Sequence, residues 1–317
     1  MPGSIWLLTD AAVDAHQAAG HPERPDRREA AAAGVRDAAG ERLVERPFVE
    51  ATDAQIAAVH DRPLVELLAE ISGGEGGWLD ADTYVARGSW EAARLAAGAT
   101  VEAARGVATA EAALAFAVVR PPGHHASASR ATGFCLLNNV AIAVAALRQE
   151  GLARRVAIVD WDVHHGDGTQ AIFDADADLC YTSTHQSPFY PGTGMPHERG
   201  SGDATGTKHN RPLDAGAGDA AFTGAWVEDL LPAIEAFGPE AILVSAGYDA
   251  HASDPLAHLA VTEEGFGTVA RAIGEAAARL GLPGIALTLE GGYDLSALRD
   301  STAATIRGLS DGLGGGT

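Results

Sequence analysis

Short runs of β-branched and aliphatic residues alternate with alanine-rich stretches of helical character along the whole chain. That alternation leads to a parallel sheet covered by helices, and leaves few other architectures open. Strands are expected at 4–8, 114–119, 156–160, 179–183, 241–245 and 284–289. Helices are expected at 89–108, 139–149, 224–237 and 263–280, with Ser89 as an N-cap and Gly281 as a C-terminal stop. The 317 residues, 46% of them hydrophobic, can build one large core. No Pro/Gly/Ser-rich linker or fixed-period repeat divides the pattern, so one domain is expected over 1–317, with 312–317 as a loose tail.

Residues able to do chemistry follow these strands directly: His124 after the second, Asp162 after the third, Asp249 after the fifth and Tyr293 after the sixth. Parallel sheets place their sites at that edge. Asp162 and His164, two positions apart, leave the same face of an extended segment and can share one ion, with Asp249 completing the set. One imidazole and two carboxylates suit zinc, and iron(II) or cobalt would also fit. Taken alone, an Asp and a His at a strand end also serve as turn formers or helix caps.

His124 and His125 have acidic partners within reach in Asp160 and Asp167, and a carboxylate bonded to an imidazole fixes its tautomer and raises its basicity. A histidine so held can take a proton from water and later deliver it to a leaving amine. The plainer alternative is a pair of hydrogen-bonded core histidines. Tyr293, at the end of Glu290-Gly-Gly-Tyr293, can offer its hydroxyl to a developing oxyanion, or simply pack as a turn tyrosine.

A net charge of −21 argues against nucleic-acid binding, which needs basic side chains to neutralise phosphates. It would attract a cationic substrate, although acidity also serves solubility alone. Lys208 is the only lysine. Cys135 and Cys180 sit in apolar sequence, as reduced core thiols do. No apolar run is long enough to cross a bilayer, and Met1 to Leu8 lacks the features of a secretory signal, so a cytoplasmic setting without a membrane partner is expected.

The chain resembles the histone deacetylase family, nearer its class II and bacterial amidohydrolase branch, which includes acetylpolyamine amidohydrolases. The resemblance is carried by His21-Pro-Glu-Arg-Pro-Asp-Arg27, Arg120-Pro-Pro-Gly-His-His-Ala126 and Gly133-Phe-Cys-Leu-Leu-Asn-Asn139. It continues through Asp160-Trp-Asp-Val-His-His-Gly-Asp-Gly168, Phe189-Tyr-Pro-Gly-Thr-Gly194, Ser245-Ala-Gly-Tyr-Asp-Ala-His-Ala-Ser-Asp-Pro255 and Leu289-Glu-Gly-Gly-Tyr293. It implies an arginase/deacetylase-like three-layer α/β/α fold with an eight-stranded, mainly parallel sheet. It also implies one Zn2+ per chain held by Asp162, His164 and Asp249.

By the same resemblance His125 acts as general base and then acid, while His124 positions and tunes the water. Tyr293 bonds the carbonyl oxygen, Asp160 pairs with His124 and Asp167 with His125. Gly133, Phe134 and Tyr190 form a narrow acyl-lysine-type tunnel with Leu256 at its mouth. A structural K+ is implied near Asp160, Asp162, His164 and Ser183. The related ureohydrolases hold two manganese ions, but the positions of their extra carboxylates are Gly166 and Gly247 here, which argues for a single metal.

The expected activity is therefore zinc-dependent hydrolysis of an N-acylated amine: an acetyl-lysine peptide, an acetylpolyamine or a small amide. Polyamine-selective relatives carry an acidic rim residue where this chain has His258, whereas the net charge and Glu23 in the first loop favour a polyamine. A non-catalytic binder of acyl ligands is the alternative from another class, and a homo-oligomer is left open.

Overall fold

The computed structural model describes residues 3–314. Its ten strands are β1 (Ile5–Leu8), β2 (Leu43–Glu45), β3 (Gly77–Trp78), β4 (Tyr84–Val85), β5 (Leu114–Ala117), β6 (Val156–Asp160), β7 (Leu179–Gln186), β8 (Lys208–Leu213), β9 (Ala241–Ala246) and β10 (Ile285–Leu289). Eight form one sheet in the order β2-β1-β5-β10-β9-β6-β7-β8, and every pairing in it among the described residues is parallel. The short β3 and β4 pair antiparallel in a separate hairpin.

Successive residues of the central strands enter two different cores, as the pleat requires. Ile5, Leu7, Leu114, Phe116, Val159, Ile242, Val244, Ile285 and Leu287 face one; Trp6, Leu8, Ala115, Ala117, Ile158, Leu243 and Ala286 face the other. The first core is closed by α1 (Asp26–Ala39) and two later helices. The second is closed by α2 (Asp53–Ala57), α3 (Arg62–Gly73), α4 (Ser89–Ala108) and α5 (Asn139–Gln149). The remaining helices are α6 (Asp167–Ile172), α7 (Asp219–Gly224), α8 (Leu231–Phe237), α9 (Glu263–Arg279) and α10 (Leu295–Gly314), of which α9 and α10 cover the first core. This is the eight-stranded parallel sheet with flanking helices anticipated above, in three layers.

The structure corrects several local expectations. Ser89 opens α4 rather than capping it, because Gly88 in the left-handed region occupies the cap and the Ser89 hydroxyl accepts the Ala86 N–H instead. The helix expected at 224–237 begins earlier, at Asp219, and passes through a π-helical turn, Ala225–Leu230, before α8. Four strands were not expected: β3 and β4, only two residues each, and, in the large sheet, β2 and β8. The latter two lie at the sheet edges, where β2 is very short and β8 carries His209, Asn210, Arg211 and Pro212, so neither shows the aliphatic run of a central strand.

Gly312 to Gly314 are no tail: they belong to α10. A Cβ on Gly312 would strike the Arg271 carbonyl of α9, and one on Gly308 the Gly267 carbonyl. These glycines let two helix backbones approach closely. Gly315 to Thr317, the rest of that expected tail, lie outside the described residues.

Four adjacent strands, β5, β10, β9 and β6, bring the chemistry together. Ala117, Thr288, Ser245 and Asp160 stand level across them, so the loops that follow open at one edge.

Candidate active site

Beyond β6 and β9 the backbone turns Asp162, His164 and Asp249 toward one point, with a donor atom of each within 4.8 Å of the others. His164 Nδ1 stands 3.1 Å from Asp162 Oδ1 and 3.2 Å from Asp249 Oδ2. Backbone N–H groups hold the carboxylates: His164 donates to Asp162 Oδ1 (2.9 Å), Gly291 to Asp162 Oδ2 (2.8 Å) and Val163 to Asp249 Oδ1 (2.9 Å). Asp249 Oδ2 is buried and makes no hydrogen bond among the described residues, although His164 Nδ1 lies close by. Burial and the neighbouring Asp162 charge push the Asp249 carboxyl above its ordinary range. A Cβ on Gly291 would collide with the Asp249 and Asp162 carboxylates, and one on Gly247 with Asp162. Glycine at both positions leaves the cradle its space.

His124 and His125 sit across from this cluster, each bonded through Nδ1 to its own carboxylate. His124 Nδ1–H donates to Asp160 Oδ2 (3.1 Å), and His125 Nδ1–H to Asp167 Oδ1 (2.7 Å). A carboxylate only accepts, so the hydrogen is on Nδ1 and each Nε2 is left free of that partner. The environments then diverge. Burial opposes charge on His124, but Asp160 and Asp162 outweigh it and raise its pKa well above the usual value. For His125, burial and the adjacent His124 charge outweigh Asp167, which is 31% exposed, and push the pKa down to about 3. His125 is therefore the neutral imidazole of the pair.

Glu290, quoted in a motif above but given no part there, accepts the N–H groups of Gly123 (2.7 Å) and His124 (3.2 Å) and the Ser245 hydroxyl (3.0 Å). Its carboxyl thus ties the histidine turn to the loop after β10.

Tyr293 on that loop, His124, His125, Asp162 and His164 all line one 260 Å³ cavity, whose walls include Gly133, Phe134, Tyr190 and Leu256. Burial pushes the Tyr293 phenol well above its ordinary pKa, so it stays protonated as a donor. Gly133 and Phe134 both adopt positive φ, and a Cβ on Gly133 would lie 2.5 Å from the His125 ring. Only glycine lets the wall approach that imidazole so closely. The Phe134 and Tyr293 rings meet edge to face, 5.9 Å apart.

Sequence reasoning missed Pro122, Phe189 and Asp82 as lining residues. Phe189 stood in a quoted motif and stacks on His164 at 5.5 Å, whereas Asp82 lies in the β3–β4 hairpin with no sequence signal of its own. Glu23 is a correction. It is fully buried, gripped by Arg120 (Nη2 to Oε2, 2.6 Å) and Arg27 (Nη1 to Oε1, 3.0 Å), and offers no charge at the rim. Polar side chains with complementary partners nearby are drawn into cores as networks, which a linear reading cannot show. His258 is exposed beside Phe189, with ring centroids 6.0 Å apart.

Residues 21–309 match the histone deacetylase domain family. The chain belongs to the histone deacetylase family. It is 40% identical over 278 residues to the "Probable deacetylase" of Archaeoglobus fulgidus, covering 87% of this chain and 77% of that protein. It is 35% identical over 312 residues to the histone deacetylase-like amidohydrolase of Pseudomonas aeruginosa, covering 98% and 82%. Among solved structures, the acetylpolyamine aminohydrolase of Burkholderia pseudomallei superposes with a TM-score of 0.87 at 31% identity, covering 96% of this chain and 98% of that one. The matched span of this deacetylase-family chain includes all the cavity-lining residues. No helix among the described residues is long and apolar enough to cross a membrane.

Proposed function

We propose that this deacetylase-family chain is a zinc-dependent amidohydrolase that removes an acetyl or other short acyl group from an N-acylated primary amine of the acetyl-lysine type. One observation carries the reading: Tyr293, a His125 whose Nδ1–H is given to Asp167, and two of the three convergent metal donors, Asp162 and His164, line the same cavity.

The donor set fits zinc. One imidazole nitrogen and two carboxylates converge, and Asp249 Oδ2, buried and accepting no hydrogen bond among the described residues, keeps its lone pairs for a cation. Two metals fit poorly, since side chains at Gly166 and Gly247 would strike the Asp160 and Asp162 carboxylates. That favours amide over guanidine hydrolysis.

When bound, zinc supplies a Lewis acid that polarises the amide carbonyl and acidifies water. His125 Nε2, free because Nδ1–H is given to Asp167, takes a proton from water and returns it to the departing amine. His124, held charged by Asp160, contributes a fixed positive field beside it. The Tyr293 hydroxyl donates to the carbonyl oxygen as it gathers negative charge. Phe134 and Tyr190 enclose an extended side chain and keep bulk water away.

Acetylpolyamine is the second reading. The net charge of −21 and the Asp82 carboxyl on the cavity favour it, while burial of Glu23 removes one of its supports. The test is metal analysis of the purified protein with kinetics on an acetyl-lysine peptide and on N-acetylputrescine. One zinc per chain and a higher kcat/KM on the peptide are expected. Full zinc occupancy with no hydrolysis of any short acyl amide would leave a ligand-binding protein instead.

A further inference from the structure

We propose that Asp254 is the positioning residue for Tyr293, locking the catalytic tyrosine to the wall of the substrate mouth. The inference rests on the reading above, in which Tyr293 donates to the substrate carbonyl.

Asp254 lies on the loop after β9, five residues beyond Asp249, and is 8% exposed. Its two oxygens serve two different segments. Oδ1 accepts the N–H of Leu256 (3.0 Å), a residue of the cavity wall. Oδ2 accepts the N–H of Tyr293 (2.6 Å) and, at 3.4 Å, that of Asp294. One carboxylate therefore joins segments 39 residues apart in the chain, and its own N–H is anchored on the His251 carbonyl (2.9 Å).

Tyr293 needs such an anchor because of what precedes it. Two glycines, Gly291 and Gly292, lead into it, and Gly292 has φ +115, a conformation open to glycine that leaves the backbone free of side-chain restraint. Arg27 fixes the Gly292 carbonyl from one side (Nε to O, 2.6 Å) and stacks its guanidinium 4.7 Å above the Tyr293 ring. Beyond these glycines, Asp254 is the hydrogen-bond partner of the Tyr293 N–H among the described residues. With that bond removed, the backbone can rotate at the glycines and carry the phenol off its line to the carbonyl. A small displacement of that kind is felt mainly in turnover.

Asp254 also supports the entry to α10 through Asp294, so a loss of activity alone would not separate positioning from stability. The experiment is a double-mutant cycle on the zinc-loaded enzyme, with kcat, KM, zinc content and Tm measured for Asp254→Ala, Tyr293→Phe and the double variant. Asp254→Ala is expected to lower kcat about 10- to 100-fold with KM and zinc content little changed. In the Tyr293→Phe background the same change should cost almost nothing, because the group being positioned is gone. Asp254→Asn, whose side chain has one acceptor oxygen where two are used, should fall between wild type and Asp254→Ala; it also closes the cycle should the alanine variant not fold.

An equal loss of kcat in both backgrounds overturns the proposal, as does a rise in KM with kcat unchanged. An inactive wild type would defeat the functional reading, and full turnover by Tyr293→Phe would remove the tyrosine from it. Either result is distinct from an uncoupled cycle, and either also ends the case for Asp254.

Discussion

Two clusters of three ligand-capable side chains lie against each other at the strand ends, Asp162, His164 and Asp249 in one and His124, Cys135 and Glu290 in the other. By composition each could hold a metal ion. They differ in how far their donor atoms are already engaged. Glu290 takes two backbone N–H groups and a hydroxyl, His124 gives Nδ1–H to Asp160, and the Cys135 sulfur faces the His125 N–H while burial raises its thiol pKa well above normal. In the first cluster Asp249 Oδ2 accepts no hydrogen bond among the described residues and has only His164 Nδ1, at 3.2 Å, as its ion-pair partner. Ligand capacity depends on lone pairs left over after folding rather than on residue type. The first cluster reads as a metal cradle and the second as scaffolding for the histidine pair.

The sharpest way to break that contrast is to remove one carboxylate from each. Asp249→Ala should take zinc content from one per chain toward zero and lower turnover at least about a thousandfold, since several kcal/mol of charge stabilisation leave with the ion. Glu290→Gln should keep zinc at one per chain and lower turnover about 10- to 100-fold, by misaligning the turn that carries His124. Metal analysis beside steady-state kinetics checks both. Zinc lost from the Glu290 variant and kept by the Asp249 variant would reverse the assignment.

How much of this could be read from the chain follows the same distinction. The central strands were legible because they are aliphatic on both faces, and the motif residues because they follow those strands in order. Asp162, His164, Asp249, His124, His125 and Tyr293 meet where the parallel topology sends them. What escaped depends on partners distant in sequence. Glu23 resembles a surface acid until Arg120, 97 residues away, is seen to bury it. Gly312 resembles a frayed end until α9 is laid against it. The opposite protonation of two neighbouring histidines could not be read from their shared motif. It comes from burial and the neighbouring His124 charge, which the partly exposed Asp167 does not offset at His125, whereas the buried Asp160 together with Asp162 outweighs burial at His124.

That difference sets the next expectation. His125→Ala, which removes the neutral imidazole, should lower kcat about 10²- to 10⁴-fold with zinc retained. Asp167→Asn keeps the imidazole and weakens only its orientation and basicity, so a loss of about 10- to 100-fold is expected. Stopped-time product assays at saturating substrate separate the two. If the asparagine variant is as impaired as the alanine one, Asp167 carries more of the proton transfer than a supporting carboxylate does.

The smallest effect belongs to the sulfur. A thiolate would bind zinc avidly, so Cys135 is the one member of the second cluster whose chemistry argues for a metal there. Its surroundings argue the other way: burial and the nearby Glu290 and Asp162 charges hold it as a thiol, and the His125 N–H points at it from 3.5 Å. A hydroxyl can accept that N–H as well as sulfur can. Cys135→Ser should therefore leave one zinc per chain and turnover within about twofold of wild type, because it changes neither the cradle nor the volume of the core by much. A fall in zinc content on that substitution would move the metal to the cluster whose donors fold into backbone contacts, and engaged lone pairs would no longer tell a scaffold from a cradle.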